Sequence, residues 1–183
     1  LRALVGPHIL ITRDEVALDA ALPFSLDVDD FTHAITNDAN TLQRAVELYQ
    51  GDFLAGFYVK NALGFEEWAL GRQATLKNMA LQALHTLVTR HLEREEYAAG
   101  INYANRLLVI GPWHEETHRN LMKLLSRSGQ RSAALAQYQI CRQTLKTELG
   151  VEPLAETVAL HERIKAAAAP PPHNLPPQPT PFV

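Results

Sequence analysis

Residues 97–107, YAAGINYANRL, fall on residues 131–141, RSAALAQYQIC, when the sequence is shifted against itself by 34 residues. The same shift superimposes small or apolar residues on one another: Leu87 on Leu121, Val88 on Met122, Gly100 on Ala134 and Ile101 on Leu135. A period of 34 residues is typical of two-helix repeats, in which each hairpin buries its apolar face by stacking on the next. Such stacks make extended binding surfaces and seldom carry catalysis. The repeat therefore predicts an all-α fold of stacked helical hairpins.

Composition and charge narrow the class of protein. A chain of 183 residues, of which 46% are hydrophobic and 20% charged, is long enough for one domain with a sizeable core. The single cysteine, Cys141, excludes an intramolecular disulfide, and no apolar run approaches the roughly 20 residues that cross a bilayer. We therefore expect a soluble, cytoplasmic protein that binds no membrane. The net charge of −3 gives no general attraction to nucleic acid.

Patterning divides the chain into three parts. Residues 8–12 and 16–19 are short segments with apolar centres on either side of a polar turn at residues 13–15, which predicts a β-hairpin. The helical period then prevails to about Ala168. It is interrupted by turn-forming residues at 51–64, 111–112, 128–129 and 150–153. Residues 170–183 contain seven prolines, which preclude helix and favour an extended linker or tail.

Apolar residues recur at helical spacing in the central part, and they predict three buried stripes. The stripes consist of Leu76, Ala80, Ala83, Leu84, Leu87 and Val88, of Tyr97, Ile101, Ala104 and Leu108, and of Ala134, Tyr138, Cys141, Leu145 and Leu149. We interpret them as core and not as a cofactor site. Two shorter helices are expected at residues 29–35 and 42–49. The aromatic side chains of residues 51–64 are expected to pack against the bundle, and the alternative is an exposed docking patch.

One short motif favours a different function. His114 to His118, HEETH, fits H-E-x-x-H, in which two histidines one helical turn apart bind zinc and the glutamate acts as general base. The repeat register opposes a zinc site, because the 34-residue shift places His118 on Leu84, a packing position. We therefore prefer to interpret Glu115 and Glu116 as negative charges in the first turn of a helix, where the helix dipole favours them. A zinc-dependent hydrolase is kept as an alternative function.

Other catalytic patterns are absent from the sequence. It contains no G-x-S-x-G motif, no glycine-rich phosphate loop and no pair of cysteines for a metal site. Cys141 lies within an apolar stripe, which indicates an inert buried thiol. The sequence therefore predicts no enzymatic activity and no cofactor.

Six groups of residues occur together in an order that is typical of one family. They are YQGDFL at residues 49–54, Glu67 and Trp68 followed by Arg72 and Leu76, Pro112 with Glu115, Leu121 and Met122 with Gly129, Ala134 and Leu135 with Tyr138, and ELGVEP at residues 148–153. From about Asp27 to Ile164 the chain resembles the bacterial transcriptional activator domain of SARP-type (antibiotic-regulatory) transcription factors. The resemblance implies a tetratricopeptide-like domain of about three stacked hairpins, placed directly after a winged-helix DNA-binding domain.

The resemblance also implies a domain organisation. Residues 1–27 resemble the end of the winged-helix domain, with its wing hairpin, and residues 28–168 form the activator domain. Residues 169–183 resemble the proline-rich segment that leads to an NTPase domain in the larger regulators. Because the chain begins with Leu1 and not with Met, we expect a fragment of a longer regulator. The fragment would couple the two flanking domains or mediate dimerisation, and DNA would be bound only through the preceding winged helix.

The repeat register predicts a groove for a protein partner. In tetratricopeptide stacks the first helix of each hairpin lines a concave surface. The predicted groove residues are Gln82, His85, Thr89 and Glu93 from one hairpin and Glu116, Arg119, Lys123 and Arg127 from the next. The last three are spaced by four, so an acidic peptide, a neighbouring domain or a nucleic-acid backbone could bind them. A solvated helix face and an unrelated tetratricopeptide scaffold are the alternatives.

Overall fold

The computed structural model describes residues 6–13, 15–19, 21–35 and 38–167, and this part of the chain is mostly helical. Two short strands come first, β1 (Ile9–Ile11) and β2 (Val16–Leu18). Seven α-helices follow within the described ranges: α1 (Asp27–Ala34), α2 (Ala39–Leu48), α3 (Leu63–Glu93), α4 (Tyr97–Ile110), α5 (Glu115–Arg127), α6 (Arg131–Leu149) and α7 (Ala155–Ala166). The predicted all-α class is confirmed. The predicted proline-rich tail and the first five residues lie outside the described residues.

The predicted β-hairpin is also confirmed. β1 and β2 are antiparallel, and Ile9 lies opposite Leu18 while Ile11 lies opposite Val16. The turn between them is closed by Thr12, whose backbone N–H donates to the carbonyl oxygen of Glu15 at 2.9 Å. A two-stranded hairpin of this length is marginally stable by itself.

The chain divides into two compact units, Leu1–Ala80 and Leu81–Val183. The first unit contains the hairpin, α1, α2 and the first part of α3. Its core forms where Phe31 and Ala45 pack with Leu76 and Ala80. Asp38 fixes the start of α2, because its side chain accepts the backbone N–H groups of Asn40 and Thr41, the usual arrangement of an N-cap.

The second unit contains the stacked hairpins that the 34-residue period predicts. Its core combines residues from α3 to α7: Val88, Ala104, Leu121, Met122, Leu124, Leu125, Ala134, Leu160 and Ile164. Residues related by the shift are buried alike, since Leu87 and Leu121 are both in the core, as are Gly100 and Ala134. The repeat in sequence is therefore a repeat in packing, with small residues where two helices approach closely.

The predicted interruptions of the helical pattern coincide with the ends of helices. Gly129 follows α5 with φ of +81°, and Gly150 caps α6 in the left-handed conformation with φ of +69°. The N–H of Gly150 donates to the carbonyls of Leu145 and Lys146, which satisfies the end of α6. Glycine adopts a positive φ without the steric cost that other residues incur, which explains the two sharp turns.

Residues 51–64 depart in part from their predicted packing. Phe53 is half-buried against the core of the first unit, and the Gln73 side chain donates to its carbonyl oxygen at 2.6 Å. Phe57 and Tyr58 are 60% and 70% exposed, so the prediction that the aromatic side chains pack inward is wrong for them. Turns follow Phe53 along the chain, and the ring of Phe57 lies at the surface in a T-shaped contact with the ring of Phe65.

We expect Gly100→Ala to destabilise the protein by about 1–2 kcal/mol, because overpacking a core costs energy of this order. A Cβ atom at position 100 would lie 2.7 Å from Cδ2 of Leu124, which is fully buried. Gly71→Ala is the matched control, since a Cβ there meets nothing within 4 Å and should stabilise α3 by about 0.5–1 kcal/mol. Urea denaturation measures both free energies of unfolding, and equal effects would contradict the close approach.

Candidate functional site

A hollow of about 470 Å³ lies between the C-terminal part of α3 and the start of α5. We call it the α3–α5 hollow. It is lined by Leu81, Gln82, His85, Thr86, Leu107, His114, Glu116 and Thr117. Leu81 and His85 are one helical turn apart, as are Gln82 and Thr86, so this face of α3 opens into the hollow. The walls combine apolar side chains with hydrogen-bonding groups, a composition that suits a peptide segment.

Three of the eight predicted groove residues come together in this hollow. Gln82 and His85 belong to α3, and Glu116 belongs to α5. His85 Nε2 lies 3.9 Å from Glu116 Oε1, and both side chains are accessible to solvent. Thr89 and Glu93 lie further along α3 and do not line the hollow.

The other three predicted residues face α7, a helix that the repeat register did not place. Arg119 donates to Thr157 Oγ1 at 3.2 Å and lies near the carboxylates of Glu115 and Glu156. Lys123 and Arg127 line a separate, smaller hollow against α7. Thr157, Leu160 and Ile164 are buried in α7, and their helical spacing is visible in the sequence. They lie beyond the residues that obey the 34-residue repeat, so the repeat register did not identify this contact.

Glu115 joins α5 to α7. One of its oxygens, Oε1, accepts the backbone N–H of Leu154 at 2.7 Å and the hydroxyl of Thr157 at 2.5 Å. Leu154 occupies the N-cap position of α7, and its aliphatic side chain cannot accept a hydrogen bond. The carboxylate from α5 therefore supplies the acceptor that the cap residue lacks. Negative charge at the start of α7 also suits its dipole.

His118 has a packing role within the H-E-x-x-H motif. It is buried, its Nε2 lies 2.8 Å from the carbonyl oxygen of Pro112, and its Nδ1 lies 2.6 Å from the side-chain nitrogen of Gln137. A carbonyl can only accept, so Nε2 carries the proton and Nδ1 accepts from Gln137. Burial lowers the pKa of His118, although Pro112 and Glu115 act in the opposite direction. Both ring nitrogens are engaged, which leaves none for a metal ion.

His114 and Cys141 also lie in the second unit, and each is held in place by its neighbours. His114 stacks on Trp113 with ring centroids 6.2 Å apart. Cys141 is buried in α6, and burial raises the pKa of its thiol to about 12, so the thiol is protonated and a poor nucleophile. In the described ranges, no group of three His, Cys, Asp or Glu side chains is arranged to hold a metal ion.

Across residues 6–167, where they are described, no helix is both long enough and apolar enough to cross a membrane.

Comparison with known proteins identifies the family. Residues 28–165 match the family described as "Bacterial transcriptional activator domain". The chain is 29% identical to Regulatory protein AfsR of Streptomyces coelicolor, over 91% of this chain and 17% of that protein. It is also 29% identical to Regulatory protein AfsR of Streptomyces griseus, over 91% of this chain and 18% of the relative. Regulatory protein DnrI of Streptomyces peucetius is 30% identical over 68% of this chain and 44% of its own length. The chain thus spans less than half the length of these relatives.

We expect Glu115→Ala to lower the free energy of unfolding by about 1–3 kcal/mol, because it leaves the Leu154 N–H and the Thr157 hydroxyl without their acceptor. Glu116→Ala is the matched control. The Glu115 side chain is 14% exposed and that of Glu116 is 61% exposed, so the control should change stability by less than about 0.5 kcal/mol. Thermal and urea denaturation measure the free energy of unfolding of each variant. A Glu115→Ala protein as stable as the Glu116→Ala control would disprove the capping role of Glu115.

The lowered pKa of His118 makes stability depend on pH. The unfolded chain binds a proton at the ordinary histidine pKa of about 6.5, whereas the folded chain binds it only at lower pH. Stability from neutral His118 is therefore complete above about pH 7 and decreases as the pH falls below about 6.5. The stability difference between wild type and His118→Gln should shrink over the same range in urea titrations. A difference that stays constant from about pH 7.5 to about pH 5 would contradict this assignment.

Proposed function

Because the chain belongs to the bacterial transcriptional activator domain family of SARP-type regulators, we propose that it is the protein-interaction module of a transcriptional regulator. The resemblance deduced from six sequence motifs agrees with this family. The relatives carry the name regulatory protein, and the chain covers only part of each of them. The role of the module within a whole regulator is accordingly part of the proposal.

The α3–α5 hollow is the observation that carries the proposal. It lies between the first helices of two successive hairpins, where helical repeats commonly bind extended peptides. Leu81 and Leu107 offer an apolar surface, and Gln82, His85 and Glu116 offer donors and acceptors. These features support a segment of a protein partner as the occupant. The partner is another domain of the same regulator, a second copy of it or a component of the transcription machinery.

We further propose that the module couples neighbouring domains. The β1–β2 hairpin is then the wing of a winged-helix DNA-binding domain that ends at about residue 27, and residues 169–183 form a linker toward an NTPase domain. A stack in which each hairpin packs on the next is stiff enough to transmit a change at one end to the other. Dimerisation through the module is the alternative form of this coupling.

The same proposal assigns no catalytic role to the domain and places it in the cytoplasm. DNA is contacted only through the winged helix. In support, the full chain carries a net charge of −3, and several of its cations pair with carboxylates, as Arg142 does with Glu152 at 2.9 Å. A regulator that contacts DNA through this module would need a continuous row of free cations.

A paired substitution tests the hollow in the bacterium that carries the gene. Gln82→Ala, on the wall of the α3–α5 hollow, should lower transcription of the genes that depend on the regulator, measured by RNA sequencing. Gln139→Ala, an exposed residue of α6, is the matched control and should leave transcription unchanged. Immunoblots and unfolding midpoints confirm that both variants are present and folded. Equal transcription with the two variants would contradict a role for the hollow.

A gel-shift assay tests the proposed route to DNA. The chain alone should not distinguish a dependent promoter from a scrambled duplex, because the recognition elements belong to the winged helix. Tight, sequence-specific retention of the promoter by the chain alone would contradict the proposal that DNA is bound only through the winged helix.

A further inference from the structure

A second hollow, of about 190 Å³, lies between α5 and α7 and is surrounded by three cations. Lys123 and Arg127 belong to α5, and Arg163 belongs to α7. We call it the basic hollow. Ser126 contributes to its wall, and Leu160 and Ile164 form an apolar surface that is continuous with the core. Two elements far apart in sequence therefore bring three positive charges to one concavity.

Within the described part of the chain, none of these three cations forms an ion pair. Lys123 Nζ reaches only the side-chain oxygen of Asn120, at 3.4 Å, and that amide is uncharged. A fourth cation lies beside them, because the guanidinium of Arg131 donates to the backbone carbonyls of Ile164 and Lys165. The chain as a whole has a net charge of −3, yet this part of its surface is positive.

Helix dipoles account for only part of this charge. α5 and α7 both end near the hollow, with Arg127 and Arg163 in their last turns. Each C-terminus contributes roughly half a negative charge, so two of them offset about one of the three cations. The remaining positive charge is not offset by the helix termini, and it is available to an anionic partner.

The shape of the cluster favours a peptide over a nucleic-acid backbone. A backbone would follow a row of cations along α5, but Arg119, the first cation of that row, is held by Thr157 and the carboxylate of Glu115. What remains is a compact concavity with an apolar floor. Phosphodiester backbones offer no side chain for such a floor, whereas an acidic peptide can place an apolar residue there.

We propose that the basic hollow binds an acidic segment of a partner protein. Carboxylates of the segment lie between Lys123, Arg127 and Arg163, and an adjacent apolar side chain packs on Leu160 and Ile164. Arginine suits this task, because its planar guanidinium binds carboxylates in bidentate fashion and is weakly hydrated. The site is separate from the α3–α5 hollow, so it goes beyond the function proposed above and can be tested without it.

Fluorescence anisotropy with the full chain tests the site directly. The probe is a labelled peptide in which glutamates alternate with leucines, compared with the same peptide carrying glutamine for glutamate and with a labelled DNA duplex. We expect the glutamate peptide to bind about tenfold more tightly than the glutamine peptide, and added salt to weaken its binding. The double variant Arg127→Gln, Arg163→Gln should lose about tenfold in affinity, and Lys123→Gln a smaller amount.

The matched control removes two cations elsewhere. Arg142→Gln with Lys146→Gln changes the net charge equally on exposed positions of α6 and should alter affinity by less than about twofold. Circular dichroism verifies that every variant is folded. Equal binding of the two peptides, an equal loss in the control, or tighter binding of the duplex through Arg127 and Arg163 would each overturn the proposal.

Discussion

The attachment of α7 to α5 depends at one end on the hydrogen bonds that the Glu115 carboxylate accepts. This carboxylate satisfies the first turn of α7 from a different helix, because the residue at the cap position, Leu154, cannot do so. A helix start that lacks its own cap frays unless another group supplies the acceptor. The position of α7 on α5 is therefore fixed at one end by a hydrogen-bonded carboxylate and along its length by Leu160 and Ile164 in the core.

The surface chemistry of α5 follows from this attachment. With α7 in place, Arg119 becomes part of the anchoring network, while Lys123 and Arg127 meet Arg163 across a small hollow. Glu116 lies on the same face of α5, about two to three turns nearer the N-terminal end of the helix, and there it lines the α3–α5 hollow. One helix thus lines two surfaces of different character, one mixed and weakly charged and the other strongly basic.

The sequence predicts the hairpins well because their packing repeats. Periodic apolar positions and glycine-containing turns are local signals, and the positions related by the 34-residue shift are buried together. The location of α7 was not predicted, because it depends on one carboxylate reaching Leu154 from another helix. His118 shows the limit of a local motif: its spacing from His114 matches a zinc site, but the repeat register predicts a packing position, and the fold buries it between Pro112 and Gln137. Exposure in residues 51–64 likewise depends on turn geometry, which residue type alone does not specify.

The burial of Cys141 has a practical consequence for following this protein in solution. It is the only cysteine of the chain, it has no solvent exposure in α6, and its thiol stays protonated at neutral pH. Alkylating reagents react with accessible thiolates, so modification has to wait until the helices around α6 separate. The rate at which Cys141 is alkylated therefore reports how often the repeat stack opens transiently. A fluorophore can also be attached at an engineered surface cysteine while the native one remains unlabelled.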